Sequence, residues 1–70
     1  SANVELEAAL DLNIDQVAEK LRHEGVSKEE ILKVVPELHK ESTVNVPGST
    51  FTIVRKGDHT FDVLPRKRID

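Results

Sequence analysis

The chain has 70 residues and a net charge of −3, and it contains no cysteine. A domain of this size buries only about 60% of its unfolded surface, so its core is small and a pocket deep enough for catalysis is not expected. Without cysteine there are no disulfide staples, and no apolar run approaches the roughly 20 residues of a membrane span. We therefore expect a single domain over residues 1–70, located in the cytoplasm.

The first predicted element is a short helix at about residues 4–10. Its inward side would carry Leu6, Ala9 and Leu10. These positions are spaced three and four residues apart, which is typical of one helical face. No strand is expected in the short stretch between this helix and Asn13.

The second predicted helix covers about residues 14–24. It begins with a capping box, in which the Asn13 side chain accepts a backbone N–H of the first turn and Gln16 reaches back. Gly25 supplies the left-handed residue that ends a helix. The apolar residues recur at i, i+3, i+4 and i+7, which is one stripe of an amphipathic helix: Ile14, Val17, Ala18 and Leu21.

The third predicted helix covers about residues 28–39 and repeats this pattern. Ser27 is its cap and Glu30 closes a second box. Pro36 lacks the N–H that would bond to the Leu32 carbonyl, so a break or a kink is expected there. The inward face is predicted to carry Ile31, Val34, Val35 and Leu38.

A β-hairpin is predicted at about residues 50–64. An odd loop centred on Lys56-Gly57-Asp58 would place Ile53 opposite Phe61 and Phe51 opposite Val63. That register puts the four apolar residues on one face, and leaves the other face to Thr52, Val54, Thr60 and Asp62. A short strand at 43–46, ending at the Pro47-Gly48 turn, could join as a third strand. A basic tail at 65–70 follows.

These elements predict an α+β fold in which about three helices precede a hairpin. Counted from Gly25, the chain has Val26 next, Ile31 six residues on and Val34 nine residues on. In this spacing it resembles small winged-helix and helix-turn-helix regulators, including small phage-encoded regulators of transcription. It departs from that pattern at Leu21, where a small residue is preferred, and in lacking a first strand between the early helices.

The resemblance implies a partner that is a macromolecule. We expect a small non-enzymatic transcription regulator that docks on a protein of the transcription machinery, such as RNA polymerase. The alternatives are a sequence-specific DNA-binding winged-helix protein and a generic protein-interaction adaptor. Against general DNA binding, residues 1–19 carry five acidic and no basic side chains, and Glu29 and Glu30 begin the helix that would read bases.

Candidate partner-binding residues combine one apolar side chain with basic ones. On the third predicted helix, Leu32 points away from the apolar stripe and could anchor an acidic protein patch. The hairpin and tail could also contact nucleic acid. The full set is Lys28, Leu32, Lys33, Arg55, Lys56, His59, Arg66, Lys67 and Arg68. The three histidines lack zinc-site spacing and no nucleophile motif is present, so no metal, cofactor or catalysis is expected.

Overall fold

A computed structural model describes residues 8–66 of the chain. The fold is α+β, with two helices and a four-stranded antiparallel sheet in the order β1-β4-β3-β2. The elements are β1 (Ala9–Leu12), α1 (Ile14–His23), α2 (Lys28–Glu37), β2 (Thr43–Asn45), β3 (Phe51–Arg55) and β4 (Phe61–Pro65). Neither helix is long and apolar enough to cross a membrane.

The predicted helix at about 4–10 is wrong at its C-terminal end, and its residues 4–7 lie outside the described part of the chain. Ala9 and Leu10 belong to β1, in the stretch where no strand was expected. β1 pairs with β4, with Ala9 opposite Val63 and Leu12 opposite Phe61. Pairing with a strand more than fifty residues away overrides the local helical spacing. Residues 8–66 therefore contain two helices where three had been predicted for the chain.

A β-bulge interrupts β1 before the chain enters α1. The register shifts between Ala9 and Leu12, and Asp11 has a φ of +58°, a left-handed conformation that Asp tolerates better than most residues. The Asp11 N–H donates to the Asp62 Oδ1 at 3.0 Å. Asp62 is only 7% exposed. Its carboxylate therefore satisfies the backbone of the bulge from the neighbouring strand.

The predicted start of α1 is confirmed in detail. Asn13 Oδ1 accepts the Gln16 N–H at 2.9 Å, and Gln16 Oε1 accepts the Asn13 N–H at 2.9 Å. The helix ends at His23, one residue earlier than predicted, with Glu24 as its cap. Gly25 has a φ of +92°, as its predicted role requires.

α2 starts at the predicted cap but ends early. Ser27 Oγ accepts the Glu30 N–H at 3.2 Å, and within residues 8–66 the Glu30 side chain makes no return bond, so only half of the box forms. The helix continues through Pro36 to Glu37, and Leu38 caps it. Pro36 therefore lies in the last turn of α2 and does not break it; the helix ends one residue later, at Glu37.

The two hairpin strands bury the predicted faces, but they pair in a different register from the predicted one. Ile53 lies opposite Val63 and Arg55 opposite Phe61, two residues away from the predicted pairing. The loop is longer than predicted because the N–H groups of Lys56 and Gly57 both donate to the Thr60 carbonyl, at 2.8 and 3.2 Å. A shift of two residues keeps side chains on the same face of a sheet, so the apolar residues remain buried.

The helices cover one face of the sheet. β2 joins β3 as the third strand that the sequence suggested, with Val44 opposite Ile53. The core between helices and sheet consists of Val17, Leu21, Ile31, Val34, Leu38, Val44, Val46, Phe51, Ile53, Phe61 and Val63. Both aromatic residues of the chain are in this core, so neither is available as a stacking platform for a nucleic-acid base.

Loss of the two helix caps should have unequal effects. Asn13→Ala removes the side-chain acceptor of a 2.9 Å bond and leaves the return bond from the Asn13 N–H without its reciprocal partner, so it should lower the free energy of unfolding by about 1–2 kcal/mol, whereas Ser27→Ala removes a single longer bond of 3.2 Å and should cost about 1 kcal/mol or less. Urea unfolding followed by circular dichroism measures both values. Lys33→Ala, on the exposed side of α2, is the control and should change little. A larger loss for Ser27→Ala than for Asn13→Ala would contradict this account.

Substitution of Asp62 should separate its hydrogen bond from its charge. Asp62→Ala leaves the Asp11 N–H without a charged acceptor and should cost about 1.5–3 kcal/mol of stability. Asp62→Asn keeps an oxygen acceptor at the same place and should cost much less. Unfolding free energies and hydrogen exchange at the Asp11 amide report the two effects. Equal destabilisation by both substitutions would show that charge, and not the bond to the bulge, is what matters.

Candidate functional site

Successive strands and helices run in opposite directions, so the connections between them lie at two opposite ends of the molecule. At the first, which we call the junction end, Glu24, Gly25 and Val26 share an open cleft of about 250 Å³ with residues 48–51. At the second, the tip end, Ser42 shares an open cleft of about 370 Å³ with residues 55–58 of the hairpin. α2 runs from the junction end to the tip end, a length of roughly 15 Å for its ten residues.

The first group of candidate residues lies on α2. Lys28, Leu32 and Lys33 are all exposed, and Leu32 is 62% exposed, while Ile31 and Val34 face the core. The orientation of Leu32 agrees with its position outside the apolar stripe. Lys28 and Leu32 are four residues apart and share one side of the helix. We call these three exposed residues the α2 surface.

The second group lies at the hairpin tip. Arg55 is half-buried at the end of β3, and its backbone N–H donates to the Ser42 carbonyl at 2.8 Å. Lys56 and His59 are exposed. The Lys56 Nζ lies 4.0 Å from the Asp62 Oδ2, and with 56% of the Lys56 side chain exposed this pair contributes little to stability. The basic side chains at the tip therefore make few contacts within residues 8–66 and could contact a partner.

Arg66 lies away from the tip and has a structural role. Its Nη2 donates to the Val46 carbonyl at 2.9 Å, and its backbone N–H donates to the Thr50 carbonyl. Both contacts are at the junction end, and β4, five residues long, spans roughly 16 Å between Arg66 and the tip. Arg66, which the sequence predicted as part of a basic arm, is exposed but held at the junction end by these two bonds. Lys67 and Arg68 lie outside the described residues.

The structure separates what the sequence had grouped. The α2 surface extends between the two ends, the tip residues cluster at one end, and Arg66 is held at the other. Sequence reasoning missed Ser42, which faces the tip, because only the pairing of β2 with β3 brings it there. It also missed the role of Asp62. The alternation of β4 placed this carboxylate on the face opposite the apolar residues, and nothing local indicated that it would be buried and accept the Asp11 N–H.

The exposed side of α1 is a further polar surface of the described residues. Asp15, Glu19, Arg22 and His23 border an open concavity of about 610 Å³ together with Ala18. This side carries charges of both signs, and Lys20 is paired with Glu24 at 3.2 Å. Among residues 8–66, no group of three or more acidic or histidine side chains is arranged to hold a metal ion.

The three clefts described above are open to solvent, and the large apolar side chains most exposed in residues 8–66 are Leu10 and Leu32. No protein-family model, no curated protein and no solved structure matches the chain. The function is therefore inferred from the residues and geometry described above.

Proposed function

We propose that the chain is a small non-enzymatic transcription regulator that docks on a protein of the transcription machinery, such as RNA polymerase, in the cytoplasm. The observation that carries the docking proposal is Leu32. It is one of two large apolar side chains that are strongly exposed in residues 8–66, and it lies between Lys28 and Lys33 on α2, the helix that would be the second of the proposed helix-turn-helix. Interfaces draw most of their binding energy from a few such anchors.

The arrangement of α1 and α2 supports the transcription part of the proposal. Two capped helices joined through a left-handed Gly25 are the core of the helix-turn-helix resemblance. β1 precedes α1 and pairs with the last strand. The feature that the sequence pattern lacked was a first strand between the early helices; β1 lies directly before α1, but residues 8–66 contain no helix ahead of it, so it does not supply that feature.

Charge favours a protein over DNA as the partner. The first turn of α2 carries Glu29 and Glu30, which would approach phosphates in a major groove. Arg66 is used by the Val46 carbonyl and adds less to a basic surface than the sequence suggested. The remaining basic groups of the α2 surface and tip suit a partner patch that is acidic, with the charges mainly setting orientation and association rate.

The first test compares the two exposed leucines. Leu32→Ala should weaken binding mainly through faster dissociation, because it removes a desolvated anchor. Leu10→Ala removes a leucine that is 56% exposed on β1 and should leave binding unchanged. The partner is obtained by affinity capture from a cell lysate and identified, and kinetics are then measured by surface plasmon resonance.

Each outcome of that test decides a separate part of the proposal. Recovery of RNA polymerase or a factor bound to it is the expected result, whereas a partner with no part in transcription contradicts the assignment. Circular dichroism controls for folding of both variants. Equal effects of the two substitutions would show that the interface does not centre on the α2 surface.

Binding to duplex DNA of random sequence should be weak, with a dissociation constant near or above ~10⁻⁴ M at physiological salt. A gel shift over a range of salt concentrations measures it. Tight binding that falls steeply as salt rises would favour the alternative function, a DNA-binding winged-helix protein that contacts DNA through the hairpin and tail.

A further inference from the structure

We propose that the outer edge of β2 is the contact surface of a weak symmetric dimer. In this dimer the β2 strands of two copies of the chain pair antiparallel, and their two sheets join into one sheet of eight strands. The inference goes beyond the proposed function and does not depend on it, because it uses neither the α2 surface nor the basic side chains of the tip.

The pairing of β2 with β3 leaves one row of backbone groups free. Hydrogen bonds to β3 are made by Ser42 at one end of β2 and by Val46 at the other, at 2.8 and 3.0 Å. Bonded and non-bonded positions alternate along an antiparallel pair. Val44 therefore also bonds to β3, whereas the N–H and C=O groups of Thr43 and Asn45 point to the outer edge. Both residues are exposed, and within residues 8–66 no strand lies beyond β2.

The two edges of the sheet differ in their ability to pair with another strand. At the β1 edge, a bulge and the left-handed Asp11 interrupt the strand. Such bulges are a common means by which proteins prevent pairing between sheet edges. β2 has no bulge, and its three residues pair with β3 in unbroken register. Association through β2 would stop at two copies, because the edges that remain free are the interrupted ones.

The free backbone groups of β2 are complementary to themselves. With a two-fold axis through Val44, Thr43 of one copy lies opposite Asn45 of the other, and this pair occurs twice. Each pair exchanges both of its N–H···O=C bonds, so the hydrogen bonds of the dimer use every free group of Thr43 and Asn45. Pro47 is the next residue in the outward row, and it ends the ladder because it has no N–H.

The side chains of the same residues supply a second set of donors and acceptors. Thr43 and Asn45 point away from the helices, because Val44 between them is in the core. Asn45 Oδ1 accepts the Thr52 hydroxyl at 2.8 Å. Within residues 8–66 the Asn45 amide nitrogen and the Thr43 hydroxyl make no hydrogen bond. These two groups would meet in each pair across the dimer contact.

No like charges meet in this arrangement. The β2 strand carries no charged side chain, and Glu41, which precedes it, would lie opposite Pro47 of the second copy. The two copies of Glu41 would be about 20 Å apart along the strands, well beyond the screening length of roughly 8 Å at physiological salt. The contact is short, so we expect a dissociation constant on the order of 1 mM.

The test is a nuclear magnetic resonance concentration series of the 70-residue chain, from roughly twentyfold below that dissociation constant to about twofold above it. The amides of Thr43 and Asn45 should shift with concentration and become protected from hydrogen exchange. The Leu10 amide on β1 is the internal control and should not shift. Sedimentation equilibrium should show the mass rising from that of one chain toward that of two.

Two substitutions at Thr43 separate the backbone contribution from that of the side chain. Thr43→Pro removes an outward N–H that the single chain does not use, and should raise the dissociation constant more than tenfold because the dimer loses this bond twice. Thr43→Val keeps the N–H and the branched shape, and should raise it about threefold through loss of the hydroxyl. The second variant tests the proposal if the first does not fold. Leu32→Ala is the control and should dimerise as the unmodified chain does.

Several results would overturn the proposal. These are Thr43 and Asn45 amides that do not shift over the whole series, or a dimer that neither substitution at Thr43 weakens. A third is a captured partner that shifts these amides while the chain alone stays monomeric, which would assign the edge to a strand of another protein. The proposed function fails separately, because it is decided by the identity of the captured partner and by the effect of Leu32→Ala on that binding.

Discussion

The bond from the Asp11 N–H to the Asp62 carboxylate is the constraint on which the arrangement of helices and sheet depends. Asp11 adopts a left-handed conformation, which costs about 1–2 kcal/mol for a residue with a Cβ. A hydrogen bond to a charged acceptor contributes about 1.5–3 kcal/mol and offsets that cost. The bulge lets Leu12 pair with Phe61 and be followed at once by the cap of α1. The place where α1 leaves the sheet is thus set by one buried carboxylate.

Once the position of α1 is fixed, the short connections determine the path of the rest of the chain. α1 and α2 have ten residues each and are joined through Gly25, so α2 returns the chain to the end from which α1 began. The chain then enters β2 beside the hairpin tip, where the Ser42 carbonyl accepts the Arg55 N–H. The candidate site depends on this route, because it brings the end of the helical pair against the loop of the hairpin.

Sequence reasoning succeeded where the determining contacts are local and failed where they are distant. The caps at Asn13 and Ser27 involve partners three residues away, and spacing alone identified them. The buried faces of the hairpin followed from alternation, whereas its register depended on how the loop closes on the Thr60 carbonyl. The pairing of β1 with β4 and the bond from Arg66 to Val46 join residues 20 to more than 50 positions apart. No local pattern carries that information, so the sequence predicted a helix where an edge strand lies and gave no sign of the bond from Arg66 to Val46.

The separation of the two ends also limits the partner under the proposed function. A contact along α2 covers about 15 Å, with Leu32 near its middle. An interface of that length is at the small, transient end of the range for protein complexes. A central apolar anchor flanked by charges suits such an interface, because the anchor supplies binding energy and the charges select the orientation. Since Arg66 is already bonded at the junction end, the basic side chains of Arg55 and Lys56 at the tip would give the docked partner its direction along the helix.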